Sequence, residues 1–273
     1  MDSIINKESN LKEYLRRLNK VAIAFSAGVD STYLLDVALE CLGKENVLVL
    51  TAFLHSVPQR EKEEAINFCS KTGAKHEVVD MDELNIEGFS NNPPDRCYIC
   101  KKAVFSELLK TAKANGFDAL AEGSNLDDNN DYRPGMKAIK ELDVKSPLRE
   151  ALLTKSDIRK LSELRGLETY NKPSFACLSS RFVYGETINA TKLQMVEYAE
   201  DYLIKLGFSQ FRVRIHGDKN YLARIEIRKE EFSKMLNGEN RSLIADYFKS
   251  IGFAYVTMDI LGYRTGSMNE VIK

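Results

Sequence analysis

Residues 21–32 read VAIAFSAGVDST, an apolar run followed by a small-residue turn that carries two serines and an aspartate. Val21 to Phe25 have the length and β-branched content of a buried parallel strand, and Tyr33 to Leu42 are predicted to form the helix after the turn. Gly28 lets the backbone approach a bound anion, and the unpaired amides at a helix start favour negative charge. The stretch therefore predicts a phosphate-binding loop.

The polar side chains of this loop suit the phosphates of a nucleotide. Ser26 and Ser31 offer hydroxyl donors, and Asp30 is predicted to hold Mg²⁺ or to order the loop. The loop lacks the Gly-Lys-Ser/Thr ending of a Walker A motif. It resembles instead the PP-loop pattern Ser-Gly-Gly-x-Asp-Ser of enzymes that cleave ATP to AMP and pyrophosphate while they adenylate a substrate. Ala27 replaces a glycine of that pattern, which costs little at negative φ and more at positive φ.

Length, charge and cysteine content exclude several classes of protein. The 273 residues exceed the common single-domain size, so we expect one large domain or two unequal domains. Apolar stretches stay short of the roughly 20 residues of a membrane span, and no signal-peptide pattern is present, which favours a cytoplasmic protein. Five cysteines in such a chain favour metal or thiol chemistry over disulfides. A net charge of −1 gives no general electrostatic reason to bind nucleic acid.

Strand and helix patterns alternate after the loop in the βαβ manner. Further strands are predicted at residues 47–53, 76–80 and 119–122, and helices at 58–71, 98–114 and 156–165. This alternation predicts an α/β fold with a parallel, doubly wound sheet and helices on both faces. Ligands of such sheets lie at the carboxyl ends of the strands. Gly123, directly after the fourth strand, therefore joins Ser26, Gly28, Asp30 and Ser31 as a candidate nucleotide-binding residue.

The pattern changes near Gly185, where a smaller C-terminal α+β domain is predicted. Its expected elements are a helix at 191–206, a hairpin of FRVRIHG (211–217) and YLARIEI (221–227), a helical region at 230–250 and a strand at 254–260. We divide the chain into residues 1–185, a PP-loop ATP-binding and adenylating domain, and residues 186–273, a domain for substrate binding or oligomerisation.

The first hairpin strand alternates strictly between apolar and polar residues. Phe211, Val213 and Ile215 are predicted on one face, and Arg212, Arg214 and His216 on the other. Because guanidinium groups pair well with phosphate oxygens, Arg212 and Arg214 are candidates to bind a substrate phosphate. The alternative is a polar strand face that simply contacts solvent.

Three of the five cysteines have positions typical of ligands. Cys97 and Cys100 form Cys-Tyr-Ile-Cys at a predicted helix start, where this spacing lets both thiols reach one ion or cluster. Cys177 lies in a polar loop near the end of the α/β region. Structural zinc sites use four ligands, whereas a 4Fe-4S cluster held by three thiolates leaves one iron open. The alternatives are a redox pair, or half of a zinc site with Cys177 unrelated.

Several segments spread over nearly the whole chain form a recognisable set. They are FSAGVDST (25–32), NDYRPG (130–135), SSRF (179–182), YG (184–185), VR (213–214) with His216, ARIE (223–226) and GYRTGSMN (262–269). Together they resemble the LarE sulfur transferases, PP-loop enzymes of nickel-pincer nucleotide biosynthesis with an adenine nucleotide alpha hydrolase-like fold. The first segment alone indicates only the superfamily, and the Asp-Tyr-Arg-Pro-Gly and Ser-Ser-Arg-Phe segments make the resemblance specific.

The resemblance implies a substrate and a reaction. Members of the family adenylate a carboxylate of pyridinium-3,5-dicarboxylate mononucleotide with ATP and then install sulfur to give a thiocarboxylate. Some members sacrifice a cysteine sulfur at the position that is Ala176 here. This chain resembles the other branch, in which three cysteines hold a 4Fe-4S cluster whose open iron carries the sulfur. ATP, Mg²⁺ and a 4Fe-4S cluster are thus the expected cofactors, and a homo-oligomer is the expected assembly.

The roles of individual residues follow from the same resemblance. Cys97, Cys100 and Cys177 are expected to bind the cluster as catalytic ligands, and Asp30 is expected to act catalytically in the loop. The expected substrate-binding residues are Asp131, Arg133, Ser180, Arg181, Arg212 and Arg214. The expected partner is a small nucleotide, with neither nucleic acid nor a membrane involved.

Three other functions are also compatible with the sequence. A PP-loop tRNA thiolase also couples adenylation to sulfur transfer, although a balanced charge counts against RNA binding. An ammonia-dependent ligase such as NAD or GMP synthase leaves the three cysteines unexplained. A module that only senses ATP or AMP would bind ATP without releasing AMP and pyrophosphate steadily.

Overall fold

The computed structural model describes residues 2–130, 134–173 and 176–272. The predicted site residues Asp131 and Arg133 lie outside the described residues. The chain forms two compact units: unit 1 comprises Met1–Met81 and Cys97–Ser174, and unit 2 comprises Asp82–Arg96 and Phe175–Lys273.

Unit 2 contains a segment that the division at residue 185 did not include. Residues 82–96 join the C-terminal part through backbone hydrogen bonds, from Gly185 N to Asn92 O at 2.9 Å and from Ile188 N to Ser90 O at 2.9 Å. Asn92 is fully buried and also donates its amide to the Val183 carbonyl at 2.6 Å. These contacts link segments far apart in sequence, so local sequence patterns do not reveal them.

Unit 1 is built on a four-stranded parallel sheet, as the sequence predicts. Its strands are β1 (Val21–Ala24), β2 (Val47–Phe53), β3 (Lys75–Asp80) and β4 (Leu120–Ala121). Their order is β3-β2-β1-β4, and every neighbouring pair is parallel. The central position of β1 places the loop that follows it at the carboxyl edge of the sheet, between its two neighbours. Ligands of doubly wound sheets bind at this edge.

The helices of unit 1 cover both faces of the sheet. They are α1 (Asp2–Leu18), α2 (Val29–Leu42), α3 (Gln59–Thr72), α4 (Arg96–Ala114), α5 (Gly135–Glu141), α6 (Pro147–Glu150) and α7 (Lys155–Leu164). Alternate residues of β2 belong to two separate apolar clusters, Val47 and Val49 to one and Leu48 to the other. The first cluster also contains residues of α1, α2, α3 and α7, and the second contains residues of α4 and α5. The doubly wound prediction is confirmed.

One boundary in unit 1 differs from the prediction in a way that matters for the site. The helix after the phosphate loop begins at Val29 rather than Tyr33. Asp30 and Ser31 therefore lie in its first turn, where backbone amides have no partner within the helix. Short polar residues obscure a helix start in sequence because they favour turns and helix caps equally.

Unit 2 contains a small mixed sheet with helices. Its elements are α8 (Ala190–Lys205), β5 (Phe211–His216), β6 (Leu222–Ile227), α9 (Phe232–Leu236), α10 (Gly238–Ser250) and β7 (Tyr255–Met258). The predicted hairpin is present, with Phe211 opposite Ile227, and β7 pairs parallel to β6. The helical region predicted at 230–250 is broken at Asn237, whose side chain accepts from Asn240 N and caps α10.

The polar face of β5 is not exposed to solvent. Arg212 and Arg214 are each only 5% exposed, and their apolar neighbours on the strand are also buried. Two guanidinium groups under a covered face require partners, because a buried charge without compensation is costly. The solvated-face alternative is therefore wrong for these two arginines.

No helix in the described ranges is both long enough and apolar enough to cross a membrane.

Candidate active site

The phosphate loop of unit 1 connects β1 to the start of α2. Gly28 is the N-cap residue of the helix, with φ −79° and ψ 164°, and as a glycine it has no side chain that could bind the first-turn amides. Among the described residues, a Cβ there would meet only Ser26 Oγ, at 3.4 Å, so this glycine keeps space open rather than permitting a left-handed backbone. Ser31 Oγ donates to Gly28 O at 3.2 Å and lies 3.1 Å from Ser26 Oγ. The two predicted hydroxyls thus stand together beside the amides of the first helical turn.

Ala27 adopts the conformation that its replacement of glycine makes costly. Its φ is +53°, in the left-handed region, where an L-residue costs roughly 1–2 kcal/mol. Its methyl group is buried in the core cluster of unit 1 and is only 3% exposed. Burial of one methyl group contributes about 0.8 kcal/mol, which offsets much of that cost. The PP-loop conformation is kept although the glycine is absent.

Asp30 is the acidic residue of the loop and forms an ion pair. Its Oδ2 lies 2.5 Å from Lys155 Nζ, and its Oδ1 accepts from Asn125 Nδ2 at 3.4 Å. Burial raises the pKa of Asp30 above its ordinary value, although the Lys155 ammonium favours the charged form. A carboxylate oxygen beside a phosphate site is a ligand type that Mg²⁺ prefers. The donor chemistry of Asp30 therefore fits a magnesium ion.

The loop after β4 approaches the start of α2 closely. A Cβ on Gly123 would lie 3.0 Å from Ser31 N and 3.3 Å from Asp30 Cβ. Glu122 orders this loop by accepting from Ser124 N at 3.1 Å, Ser124 Oγ at 2.6 Å and Ser146 Oγ at 2.6 Å. All five predicted nucleotide-binding residues therefore meet at one edge of the sheet, and a side chain at Gly123 would press on the backbone of α2.

Gly123→Ala is expected to displace the first turn of α2. Because the new methyl group would press on backbone rather than on a flexible side chain, we expect a loss of about 1–3 kcal/mol in unfolding free energy. Weaker binding of an ATP analogue should accompany that loss. Urea unfolding and calorimetric titration measure the two effects. The matched control is Gly238→Ala, since a Cβ at Gly238 has no atom of the described chain within 4 Å. Equal behaviour of the two variants would contradict the prediction.

Cys97 and Cys100 lie three residues apart at the start of α4, and both are half-buried. Cys100 packs against the apolar cluster that lies between the sheet and α4. The pair fits two ligands of a cluster, because residues at i and i+3 share one side of a helix and a helix start favours thiolate. Within the described ranges, no group of three or more metal-ligating side chains is assembled.

Cys177 belongs to unit 2 and is exposed at the start of the 3₁₀ helix Leu178–Arg181. Ser180 Oγ donates to Cys177 O at 2.8 Å. Arg181 Nη1 donates to Ala176 O at 2.9 Å, to Cys177 O at 3.3 Å and to Ser180 Oγ at 2.6 Å. Arg181 thus fixes the backbone around Cys177 through hydrogen bonds to two of its carbonyl oxygens.

Arg181 is fully buried and pairs with an equally buried carboxylate, Glu200 of α8. Its Nε and Nη2 donate to the two Glu200 oxygens at 2.7 and 2.8 Å, the bidentate geometry of strong ion pairs. Glu200 Oε1 also accepts from Val213 N at 3.0 Å. One ion pair therefore ties the Cys177 segment to both α8 and β5.

Arg212 and Arg214 lie on the face of β5 nearest this pair. Arg214 donates to Ser180 O at 2.9 Å, to Glu226 Oε2 at 2.7 Å and to Ser267 Oγ at 3.0 Å, while its buried Nε has no partner among the described residues. The Arg212 guanidinium lies 5.2 Å from the Tyr263 ring centroid. Burial, and then repulsion by the Arg181 charge, lowers the pKa of Arg212 to about 10. The structure thus places the guanidinium groups of Arg181 and Arg214 beside Ser180, with Arg212 close enough to Arg181 for their charges to repel.

Comparison with known proteins decides the family. A family model of NAD synthase matches residues 4–110. An uncharacterised protein of Synechocystis sp. is 40% identical over 267 residues, 98% of this chain and 98% of that protein. A pyridinium-3,5-bisthiocarboxylic acid mononucleotide synthase of Lactiplantibacillus plantarum is 37% identical over 272 residues, 100% of this chain and 97% of the synthase. The chain belongs to the LarE family of PP-loop proteins.

Similarity along the full length of the chain extends to a more distant sequence. An uncharacterised protein of Methanocaldococcus jannaschii is 29% identical over 265 residues, 97% of this chain and 98% of that protein. Both units are included in these full-length matches, whereas the NAD synthase model ends at residue 110 and covers only the 82–96 segment of unit 2. The LarE resemblance inferred from sequence motifs is confirmed.

Sequence reasoning missed two charged residues of this LarE-family chain. Glu200 gave a signal, because it lies on the same helical face as the apolar residues Val196 and Leu203, both buried. A carboxylate at such a position indicates a buried partner. Lys155 gave no such signal. It begins a helix far from Asp30 in sequence, and a lysine in the first turn of a helix is usually expected to be solvent-exposed.

Proposed function

We propose that this protein is an ATP-dependent sulfur transferase that converts a carboxylate of pyridinium-3,5-dicarboxylate mononucleotide to a thiocarboxylate. Full-length similarity to the Lactiplantibacillus plantarum synthase carries the proposal. The phosphate loop of unit 1 supports its ATP-dependent half. We further propose that the protein is a cytoplasmic homo-oligomer whose substrate is a small nucleotide and not a nucleic acid.

Adenylation solves a chemical difficulty of the reaction. A carboxylate is a poor acyl donor because its oxygen leaves badly, and attachment of AMP creates a good leaving group. The Ser26 and Ser31 hydroxyls and the first-turn amides of α2 would hold the ATP phosphates, while Gly28 and Gly123 leave room for them. Asp30 would hold Mg²⁺, which when bound neutralises negative charge on pyrophosphate.

The second half of the reaction brings sulfur to the activated carbonyl carbon. Cys97, Cys100 and Cys177 would hold a 4Fe-4S cluster, since three thiolates leave one iron without a protein ligand. When bound, such a cluster supplies sulfide at that iron. The peptide segment that carries Cys177 is held by Arg181, so the position of this thiol depends on a buried ion pair.

The arginines of β5 would hold the phosphate of the nucleotide substrate. Arg214 supports this role because it is buried, beside Ser180, and keeps one N–H without a partner among the described residues. Arg212 and Ser180 belong to the same proposed set, with Asp131 and Arg133. Arg181 would contribute indirectly, by positioning Ser180 and the cysteine segment through its own hydrogen bonds.

The test is an assay under anaerobic conditions. The protein is reconstituted with iron and sulfide, then supplied with ATP, Mg²⁺, sulfide and the pyridinium dicarboxylate mononucleotide. Many thiolations per chain, with matching AMP release, are expected. One thiolation per chain with loss of a cysteine sulfur would indicate the sacrificial mechanism instead. ATP cleavage without thiolation despite a full cluster would point to tRNA as the substrate, and ATP binding without cleavage would indicate a sensor.

A further inference from the structure

Lys155 places a positive charge beside the phosphate loop, although it belongs to α7 and not to the loop motif. Lys155 Nζ lies 2.5 Å from Asp30 Oδ2, and the side chains are only 28% and 22% exposed. The two residues are 125 positions apart. An ammonium group therefore stands beside the amides and hydroxyls that are proposed to hold ATP.

The backbone of Lys155 is fixed, whereas its side chain is long. Lys155 is the first residue of α7, and its N–H donates to Asp127 Oδ2 at 2.8 Å. Thr154 and Asp157 form a reciprocal capping box that sets where the helix begins. A flexible four-carbon stem on a fixed backbone lets the ammonium change partners without moving the helix.

A second lysine contacts the loop, but its ammonium group already has two partners. Lys172 Nζ donates to Ala27 O at 3.0 Å and also pairs with Glu64. Its contact with a backbone carbonyl oxygen stabilises the left-handed turn rather than the phosphate site. Asp30, by contrast, adds negative charge next to the place where several phosphate charges would bind. A cation must offset that repulsion, and the PP-loop has no lysine of its own.

We propose that Lys155 exchanges partners during the reaction. It neutralises Asp30 in the protein without nucleotide, and it moves to the β- and γ-phosphate oxygens when ATP binds and Asp30 turns to Mg²⁺. This inference rests on the proposed function. In adenylation a substrate carboxylate oxygen bonds to the α-phosphorus, and the bond from that phosphorus to the bridging oxygen of pyrophosphate breaks. The electron pair leaves with pyrophosphate, and Lys155 stays protonated, contributing charge and no proton.

If Lys155 exchanges partners, its removal should change the affinity for a metal ion and the affinity for ATP in opposite directions. Without Lys155, Asp30 has no competing cation, so a divalent metal alone should bind more tightly. The departing pyrophosphate would then lose a positive partner, so ATP should bind less tightly and adenylation should slow. A lysine that merely stabilised the fold would, on removal, weaken both kinds of binding together.

The experiment compares Lys155→Met, Lys155→Arg and a matched control, Lys7→Met. Lys7 pairs with Asp157 of the same helix at 2.6 Å, with side chains 26% and 22% exposed, so the control removes an ion pair of the same kind. The probes are Mn²⁺ alone, followed by electron paramagnetic resonance, and α,β-methylene-ATP, followed by calorimetry. Pyrophosphate release measures adenylation, and thermal unfolding shows that each variant is folded.

For Lys155→Met we expect Mn²⁺ to bind about 3- to 10-fold more tightly, since a partly exposed ion pair is weak. The ATP analogue should bind more weakly, and pyrophosphate release should fall about 100-fold, as when one preorganised donor is lost. Lys155→Arg should stay near wild type for Mn²⁺, and Lys7→Met should match wild type throughout.

Unchanged or weaker Mn²⁺ binding in folded Lys155→Met, or adenylation within about 2-fold of wild type, would overturn the inference. Failure of the proposed function looks different, because the wild-type protein itself would then neither bind the ATP analogue nor release pyrophosphate.

Discussion

Replacing Cys177 with alanine is expected to abolish repeated sulfur transfer while ATP-dependent adenylation continues. The proposed ATP contacts come from Ser26, Gly28, Asp30 and Ser31, so this substitution removes none of the side chains that would bind ATP. Two thiolates hold a 4Fe-4S cluster less completely than three, and the iron content should fall with the turnover number. The expected change is from many thiolations per chain to fewer than one.

The measurements are iron per chain, thiolated product per chain and AMP release. Cys97→Ala should give the same result as Cys177→Ala if the two residues share one cluster. The control is Cys41→Ala, because Cys41 is half-buried on α2, near the Ala38 carbonyl, and has no proposed role. Continued multiple turnover by Cys177→Ala would remove Cys177 from the proposed ligand set.

Replacing Arg181 with methionine is expected to lower the free energy of unfolding by about 3–5 kcal/mol, because it leaves the Glu200 carboxylate buried without its cation. Both side chains are completely buried. Urea unfolding measures the loss. Arg17→Met is the control, since Arg17 and Glu13 form a pair with side chains 72% and 62% exposed, and such surface pairs contribute less than about 1 kcal/mol.

A second substitution separates lost charge from lost packing. In Arg181→Met with Glu200→Gln, no buried charge remains, so part of the stability should return. If the double variant is no more stable than Arg181→Met, the loss arises from packing rather than from an unpaired carboxylate.

The effect of Arg181→Met should also depend on pH. Burial raises the pKa of Glu200, but attraction and hydrogen bonds from Arg181 outweigh burial and hold that pKa below its ordinary value. A carboxyl with a lowered folded-state pKa adds stability above its unfolded-state pKa, about 4.3, and loses that contribution as pH falls through the folded-state value. Without Arg181, Glu200 takes up a proton readily. The difference in stability between wild type and Arg181→Met should therefore be largest near neutral pH and shrink in acid.

The same arginine variant should affect sulfur transfer in a specific way. Arg181 holds the backbone at Cys177 and the hydroxyl of Ser180. At saturating substrate, a folded Arg181→Met protein should release pyrophosphate normally yet make less thiolated product per AMP. Equal loss of both activities would indicate a general loss of folded protein.

Local patterns were sufficient for the strand, loop and helix around residues 21–32 and for the hairpin of β5 and β6. Apolar runs, alternation of period two and turn residues are all properties of neighbouring positions. The family could be inferred for the same reason, because its motifs are short and contiguous. The sequence by itself thus determined the α/β class, the phosphate loop and the cysteines worth testing.

Only the tertiary structure decided which charges meet. The Asp30–Lys155 pair and the burial of Arg212 and Arg214 depend on segments brought together by packing of the core. Alternation shows that two arginines share a strand face, but it does not show whether another element covers that face. Likewise, residues 82–96 join unit 2 through hydrogen bonds to distant residues. Contacts between distant segments carry no local signature, because their free energy comes from burial and pairing in the folded chain.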